Sequence, residues 1–315
     1  MSETIQDELW PHFVPLWTDL RSIAPKLLLA GGYGLFLKQQ WLLSQWHFLG
    51  TEDDHSMVIE KGNQSIADAV RTLVAIHRWM DQTPRSTKDF DFIANLDLIA
   101  SEEEQQGIHE VLEKHGFGVV PANARGQFEK QVSVGRRVVL DFHAPAPASE
   151  RGDLRVGARR VKPQPSLGQR GIHGRMNPEA ASAELHPFSF TYGGLKIVLP
   201  NPVTLTLMKL AAMRDRRAVS QNAELSAENR RLEDRQARKH AEDVCRVVAM
   251  MTREESETAV GVLGGLRRSS GFEVAVATFS EFFKADEDWG SRAVAGRWKR
   301  EDFQIIQSTL AAWFS

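Results

Sequence analysis

The chain has 315 residues, 42% hydrophobic and 25% charged, a composition that excludes a fibrous or globally disordered chain and leaves room for one large domain or two smaller ones. A formal charge of −2 gives no whole-protein argument for a nucleic-acid partner, although local basic clusters can still provide one. The single cysteine, Cys245, excludes an intramolecular disulfide and fits a reducing cytosol.

The opening "MSETIQDELWPHF" has acids where a secretory signal would have a basic flank and an apolar run. The longest apolar run, "LLLAGGYGLFL", is too short to span a bilayer and is broken by glycines. The expectation is a soluble cytoplasmic protein with no membrane partner. Residues 8 to 26 read as an amphipathic helix punctuated by Pro11, Pro15 and Pro25. "KLLLA" then reads as a strand, Gly31-Gly32 as a turn, and "YGLFLKQQWLLSQWHFL" as a helix. A loop over 50 to 63 precedes a second helix, "SIADAVRTLVAIHRWM", with Ala69, Leu73, Ile76 and Met80 on one stripe.

"DFDFI" follows a turn rich in Arg, Ser, Thr and Lys and reads as a strand with Phe90 and Phe92 facing a core. Ser101 is the expected N-cap of the next helix, with Glu104 at the capping-box position and an end near Gly116. Two strands, "QFEKQVSV" and "RRVVLDFHA", are joined by a turn at Gly135. Residues 144 to 178 mix prolines and glycines with Arg151, Arg155, Arg159, Arg160, Lys162, Arg170 and Arg175, and are expected to be a long mobile segment. The strand "GLKIVLP" closes this part. From Asn201, an N-cap followed by Pro202, the pattern is helical to the end. Residues 214 to 243, charge-dense without a clear apolar stripe, suggest an exposed extension or a helical hairpin. The expected architecture is α/β (α+β): a domain over 1–200, with inserted helices at about 41–82, followed by a helical domain over 201–315.

The chemistry begins with carboxylates that share a face. Period-two alternation turns Asp89 and Asp91 away from the core, and in "VVLDFHA" it turns Asp141 away from Val138, Leu140 and Phe142. Three acids so placed can bind Mg²⁺, a hard cation that prefers oxygen ligands and completes its shell with water and substrate phosphates. Two such ions clamp the attacking and leaving oxygens in phosphoryl transfer. Taken alone, an acid-x-acid pair is an ordinary solvated strand face. Gly31-Gly32 between strand and helix lets backbone approach a phosphate, and equally makes a tight turn. Lys209 is a lone charge in the apolar "VTLTLMKLAAM". Such an amine snorkels to the surface or meets an anion. Arg216, two turns on, shares its face and could join it at a triphosphate.

Taken in order, "LLLAGGYGLFL", "PRSTKDFDF", "VVLDFHA", "NPVTLTLMKLAAMRDR" and "RKHAEDVCRVV" resemble the motifs of the AbiEii-like nucleotidyltransferases of the polymerase-beta-like superfamily, over about residues 27 to 250. The resemblance implies a small mixed sheet flanked by helices and a helical domain behind it. It implies that Gly31 and Gly32 hold the triphosphate together with Arg85 and Thr87. It further implies that Asp89 and Asp91 coordinate two Mg²⁺ ions, with Mn²⁺ as an alternative. Asp141 would complete the metal site and can act as base, and Lys209 and Arg216 would face the nucleotide. Lys239 and Asp243 match a Lys-Asp-x-x-Asp element in which His240 replaces the first acid. A plain i,i+4 ion pair beside the stripe of Val244, Val247, Val248 and Met251 explains that element equally well. The 56 residues between Gly32 and Asp89 exceed a compact spacing, and Trp41, Trp46 and Trp79 within them are expected to pack inserted helices. His109 and His115 read as surface residues.

The resemblance implies transfer of a nucleoside monophosphate from an NTP to an acceptor, as in toxins of toxin–antitoxin and phage-defence systems that act on the 3′ end of tRNA. The basic 151–175 segment favours RNA. A protein hydroxyl is the alternative acceptor, a cognate antitoxin a further possible partner, and a non-catalytic nucleotide- or partner-binding regulator the contrasting class.

Overall fold

The computed structural model describes residues 7–45, 87, 89–123, 125–267 and 269–315. The helix expected at 65–80, Trp46, Trp79 and Arg85 lie outside the described residues. The architecture is mixed α and β, and the chain divides into two compact units: Met1–Gly34, Ser86–Asn177 and Ser189–Leu199 in the first, Leu35–Arg85, Pro178–Phe188 and Pro200–Ser315 in the second.

Alternation builds the first unit. Helix α1 (Trp10–Ile23) buries Phe13, Leu16, Trp17 and Leu20. Strands β1 (Leu28–Ala30), β2 (Asp89–Ile93), β3 (Gly118–Val119), β4 (Gln127–Ser133), β5 (Arg136–Ala144), β6 (Leu154–Val156), β7 (Arg160–Pro163) and β8 (Gly174–Met176) form one mixed sheet. Its order is β1-β2-β5-β8-β7-β6, with β4 joined to β5 and β3 to β4. β1 runs antiparallel to β2, and β2 runs parallel to β5. Phe90, Phe92, Val138, Leu140 and Phe142 are buried as the alternation requires. Trp17 stacks on Phe92 at 5.7 Å, and Phe92 in turn meets Phe142. Fully burying each such side chain contributes about 1.5–3 kcal/mol, and a well-set aromatic pair about 0.5–1.5 kcal/mol more.

Two short helices follow β2: α3 (Leu96–Ala100) and α4 (Glu102–Lys114). Ser101 caps α4 by accepting from the Glu104 N–H. The hairpin of β9 (Phe188–Tyr192) and β10 (Leu195–Leu199) is held to α1 by Trp17 Nε1, which donates to the Lys196 carbonyl at 2.9 Å.

Two expectations need correction here. Residues 144 to 178 are not a long mobile segment, because β6, β7 and β8 lie within them and β8 pairs in parallel with the end of β5. Leu154, Val161, Pro163 and Ile172 point inward while the bases take the other positions, and buried Gln105 donates to the Ile99 carbonyl and accepts from the Ile172 N–H. His109 and His115 are half-buried rather than plain surface residues. His115 Nε2 lies 2.8 Å from Asp19 Oδ2, and His109 pairs with Glu113.

The second unit is helical. Beyond Gly34, helix α2 (Gly31–Gln45) contributes Lys38 and Trp41, and the helices after Asn201 are α5 (Pro202–Ser220), α6 (Ala227–Ala249), α7 (Arg253–Leu266), α8 (Ser270–Phe282), α9 (Trp289–Val294) and α10 (Arg300–Phe314). Their starts are written in the sequence. Asn201, Ser226, Thr252 and Ser269 each accept a first-turn N–H, and Thr252 with Glu255 completes a capping box. The charge-dense stretch from 214 to 243 is a hairpin of α5 against α6, laced by Arg216–Glu233 and Arg217–Asp234. Lys38 is buried and contacts both oxygens of Glu255 at 2.6 Å beside the Phe188 ring.

Candidate functional site

The site starts from register. In the parallel pair β2–β5, Asp91 stands opposite Asp141 and Asp89 opposite Val139. Paired residues of neighbouring strands share a face about 4.8 Å apart, so Asp91 and Asp141 are adjacent and Asp89 lies two residues along on that face. Opposite each acid face, Phe92 and Phe142 seal the core.

At the end of β1, Gly31 takes φ +68, which glycine adopts without strain. A Cβ on Gly31 would stand 1.7 Å from Asp91 Oδ2, so the carboxylate occupies the space a side chain would need. The diglycine bend therefore abuts the acid pair. Thr87 Oγ1 accepts from the Asp89 N–H at 3.3 Å, tying down the entry to β2.

Three residues absent from the expected set surround the pair. His143, two residues beyond Asp141 on the same face of β5, brings Nε2 to 3.4 Å from Asp91 Oδ1. Gln127 of β4, the register partner of Asp141, donates its amide to Asp141 Oδ1 at 2.9 Å and Oδ2 at 3.1 Å. Asn123 donates in turn to Gln127 Oε1, which fixes the amide's orientation. Period-two spacing alone places His143 on the acid face. Gln127 needs the β4–β5 register, which the sequence does not state.

The electrostatics follow from crowding. Burial raises the Asp141 carboxyl above the usual carboxylate range; the Gln127 hydrogen bond opposes this, the Asp91 charge adds to it, and His143 and Arg175 draw it down. The donors suit a hard divalent ion held through one or two carboxylates. Among the described residues, no group of three His, Cys, Asp or Glu side chains is close enough together to hold an ion by itself.

The other expected residues belong to the second unit. Lys209 is buried and its Nζ lies 2.9 Å from Asp243 Oδ2, which is itself 0% exposed, so the amine meets an anion rather than snorkelling. The partner of Asp243 across the hairpin is therefore Lys209, besides any contact along α6 with half-buried Lys239. Arg216 is exposed and engages Glu233 at 2.9 Å. Val244, Val247 and Val248 are buried as the stripe requires, with Met251 half-buried. Trp41 packs edge-on against Phe188. No helix among the described residues is long and apolar enough to cross a membrane. Comparison of the chain with protein-family models, curated proteins and solved structures finds no match.

Proposed function

We propose that the protein is a metal-dependent nucleotidyltransferase that moves a nucleoside monophosphate from an NTP to an acceptor hydroxyl, with RNA as the favoured acceptor. The observation that carries this reading is the Asp91–Asp141 pair set side by side on parallel strands against the positive-φ Gly31 bend. A merely solvated strand face would not need its neighbouring backbone to surrender a side chain to make room for one carboxylate. When bound, Mg²⁺ supplies Lewis-acid stabilisation of charge on the transferring phosphoryl group.

Asp91 and Asp141 are the residues that would hold the ion, with water and substrate phosphate oxygens completing its shell, while Asp89, expected as a third ligand, stands opposite Val139 and is not brought into one cluster with them. The Gly31 and Gly32 backbone, with Thr87, admits the triphosphate at the start of α2. In the transfer, an acceptor oxygen forms a bond to the α-phosphorus while the bond to the β-phosphate bridge oxygen breaks, and pyrophosphate leaves. The acceptor hydroxyl proton passes to an Asp141 carboxylate oxygen, a group whose raised proton affinity suits it to that role. Gln127 and Asn123 hold that carboxylate in one orientation. Lys209, Arg216, Lys239 and Asp243 lie in the second unit, where Lys209 pairs with Asp243 and Arg216 with Glu233, and they carry no part of this reading. A toxin-like role in defence, with a cognate antitoxin, belongs to the same proposal.

Incubation with each labelled NTP, Mg²⁺ or Mn²⁺, and total RNA or lysate tests it. Label entering an RNA band, lost in Asp91→Asn and Asp141→Asn, is the expected result. Label in a protein band would transfer the reading to the protein-modifying alternative. No label anywhere, with NTP still bound, would leave a non-catalytic regulator.

A further inference from the structure

The carboxylate pair stands at one end of a line of bases that only strand pairing reveals. Register matches His143 of β5 with Arg175 of β8, Arg175 with Arg160 of β7, and Lys162 of β7 with Arg155 of β6. Residues paired across neighbouring strands project to the same side. Leu154, Val161, Pro163 and Gly174 take the buried side, so Arg155, Arg160, Lys162 and Arg175 share the face of Asp141 and His143.

Three of these charges lack an ion-pair partner close at hand among the described residues. Arg151 is held by Asp97 and Asp153, whereas Arg155, Lys162 and Arg175 have no ion pair among the described residues. Arg155 and Arg175 are exposed, Arg160 and Lys162 half-exposed. Like charges set opposite one another across strands cost stability unless an anion offsets them. Two such pairs, Arg160–Arg175 and Arg155–Lys162, lie on consecutive strands.

We infer that β8, β7 and β6 form a track for the phosphate backbone of a single-stranded nucleic acid, leading to the Asp91–Asp141 pair. From β5 to β6 the track spans three strand spacings, about 14 Å. That outruns one triphosphate and suits a chain of phosphates crossing the strands. The four bases would neutralise several phosphates with no sequence preference, because phosphate contacts position a strand without reading its bases. The inference builds on the proposed function, since it places the acceptor strand's reacting end at the acid pair, but binding to the track does not require the transfer reaction.

The test is fluorescence anisotropy of a labelled single-stranded RNA of mixed sequence across a salt series, with full-length wild type, Arg155→Glu/Lys162→Glu, and Asp91→Asn. Wild type should bind with an affinity that falls as salt rises, by about 0.7 in log–log slope per phosphate neutralised. The double variant should bind at least tenfold more weakly with a shallower slope, while keeping the wild-type circular dichroism spectrum and melting temperature. Asp91→Asn should bind at least as tightly as wild type. Absence of RNA binding by wild type at low salt, or equal binding by the double variant, would overturn the track even if nucleotide transfer to a protein were found. RNA binding that is lost in the double variant, with no transfer in any assay, would sink the enzymatic reading and leave the track standing. ATP binding to the stripe without RNA binding would assign it to the nucleotide and also overturn the track.

Discussion

Gly31 carries the sharpest claim at the scale of single residues. Any side chain there faces a left-handed φ and the Asp91 carboxylate at once. The backbone conformation alone costs a non-glycine residue about 1–2 kcal/mol. Gly31→Ala is therefore expected to lower the melting temperature by at least that equivalent and to abolish transfer; an active, equally stable variant would refute the bend's role. Asp141 makes a prediction of opposite sign for stability. Its carboxyl is raised in the folded state, so the fold binds its proton more tightly than the unfolded chain does. Its contribution is present below the ordinary carboxylate range and is lost as pH rises through the raised value. Without divalent ions, Asp141→Asn should flatten that part of the stability–pH profile and match or exceed wild-type stability near neutrality, while losing activity. Urea melts over a pH series check it. Of these residues, the sequence revealed the three acids and the glycines, because period two and a strand–glycine–helix string suffice. Gln127 was not legible, since its partner is set by a β4–β5 register across the Gly135 turn.

Buried ion pairs decide the element scale. Lys209 of α5 and Asp243 of α6 are joined at 2.9 Å in a nearly dry setting. Removing one partner of such a pair leaves an uncompensated charge and costs about 3–5 kcal/mol, whereas replacing both with apolar groups is often neutral. Lys209→Met should thus be strongly destabilised in chemical denaturation. Lys209→Met/Asp243→Leu should recover most of the lost stability. A double variant as unstable as Lys209→Met would show that the charge pair itself is not what holds α5 to α6. Lys38 and Glu255 behave alike for α2 and α7, with an added duty, because Glu255 also accepts from the Thr252 N–H at 2.8 Å in the capping box. Glu255→Gln keeps an acceptor for that cap but strips the partner from a buried amine, so it too should melt earlier than wild type. The cap at Asn201 follows from local chemistry and is visible in the sequence; those at Ser226 and Thr252 obey the same chemistry but emerge with the structure. Lys38 is not: its partner lies 217 residues away.

At the scale of the whole molecule, metal linkage gives a direct measurement. An ion that binds only the folded chain at a hundredfold excess over its Kd adds about 2.7 kcal/mol, a rise on the order of 5 °C for a chain of this size. Mg²⁺ should raise the melting temperature of wild type by several degrees in differential scanning fluorimetry and leave Asp91→Asn unmoved; equal shifts in both would place the ion elsewhere. The sequence by itself determined which strand faces are apolar, where the helices capped by Ser101 and Asn201 start, and that acids gather on the solvent side of two strands. Those properties follow from periodicity and capping, which act within a few residues. Only the tertiary structure decided that 144 to 178 is sheet, that Asp91 and Asp141 are register partners, and that the bases of β6 to β8 stand in line with them. Strand pairing joins residues far apart in the chain through backbone hydrogen bonds, which no side-chain pattern records, and a segment whose outward face is all charge hides its inward alternation until a neighbouring strand supplies the edge.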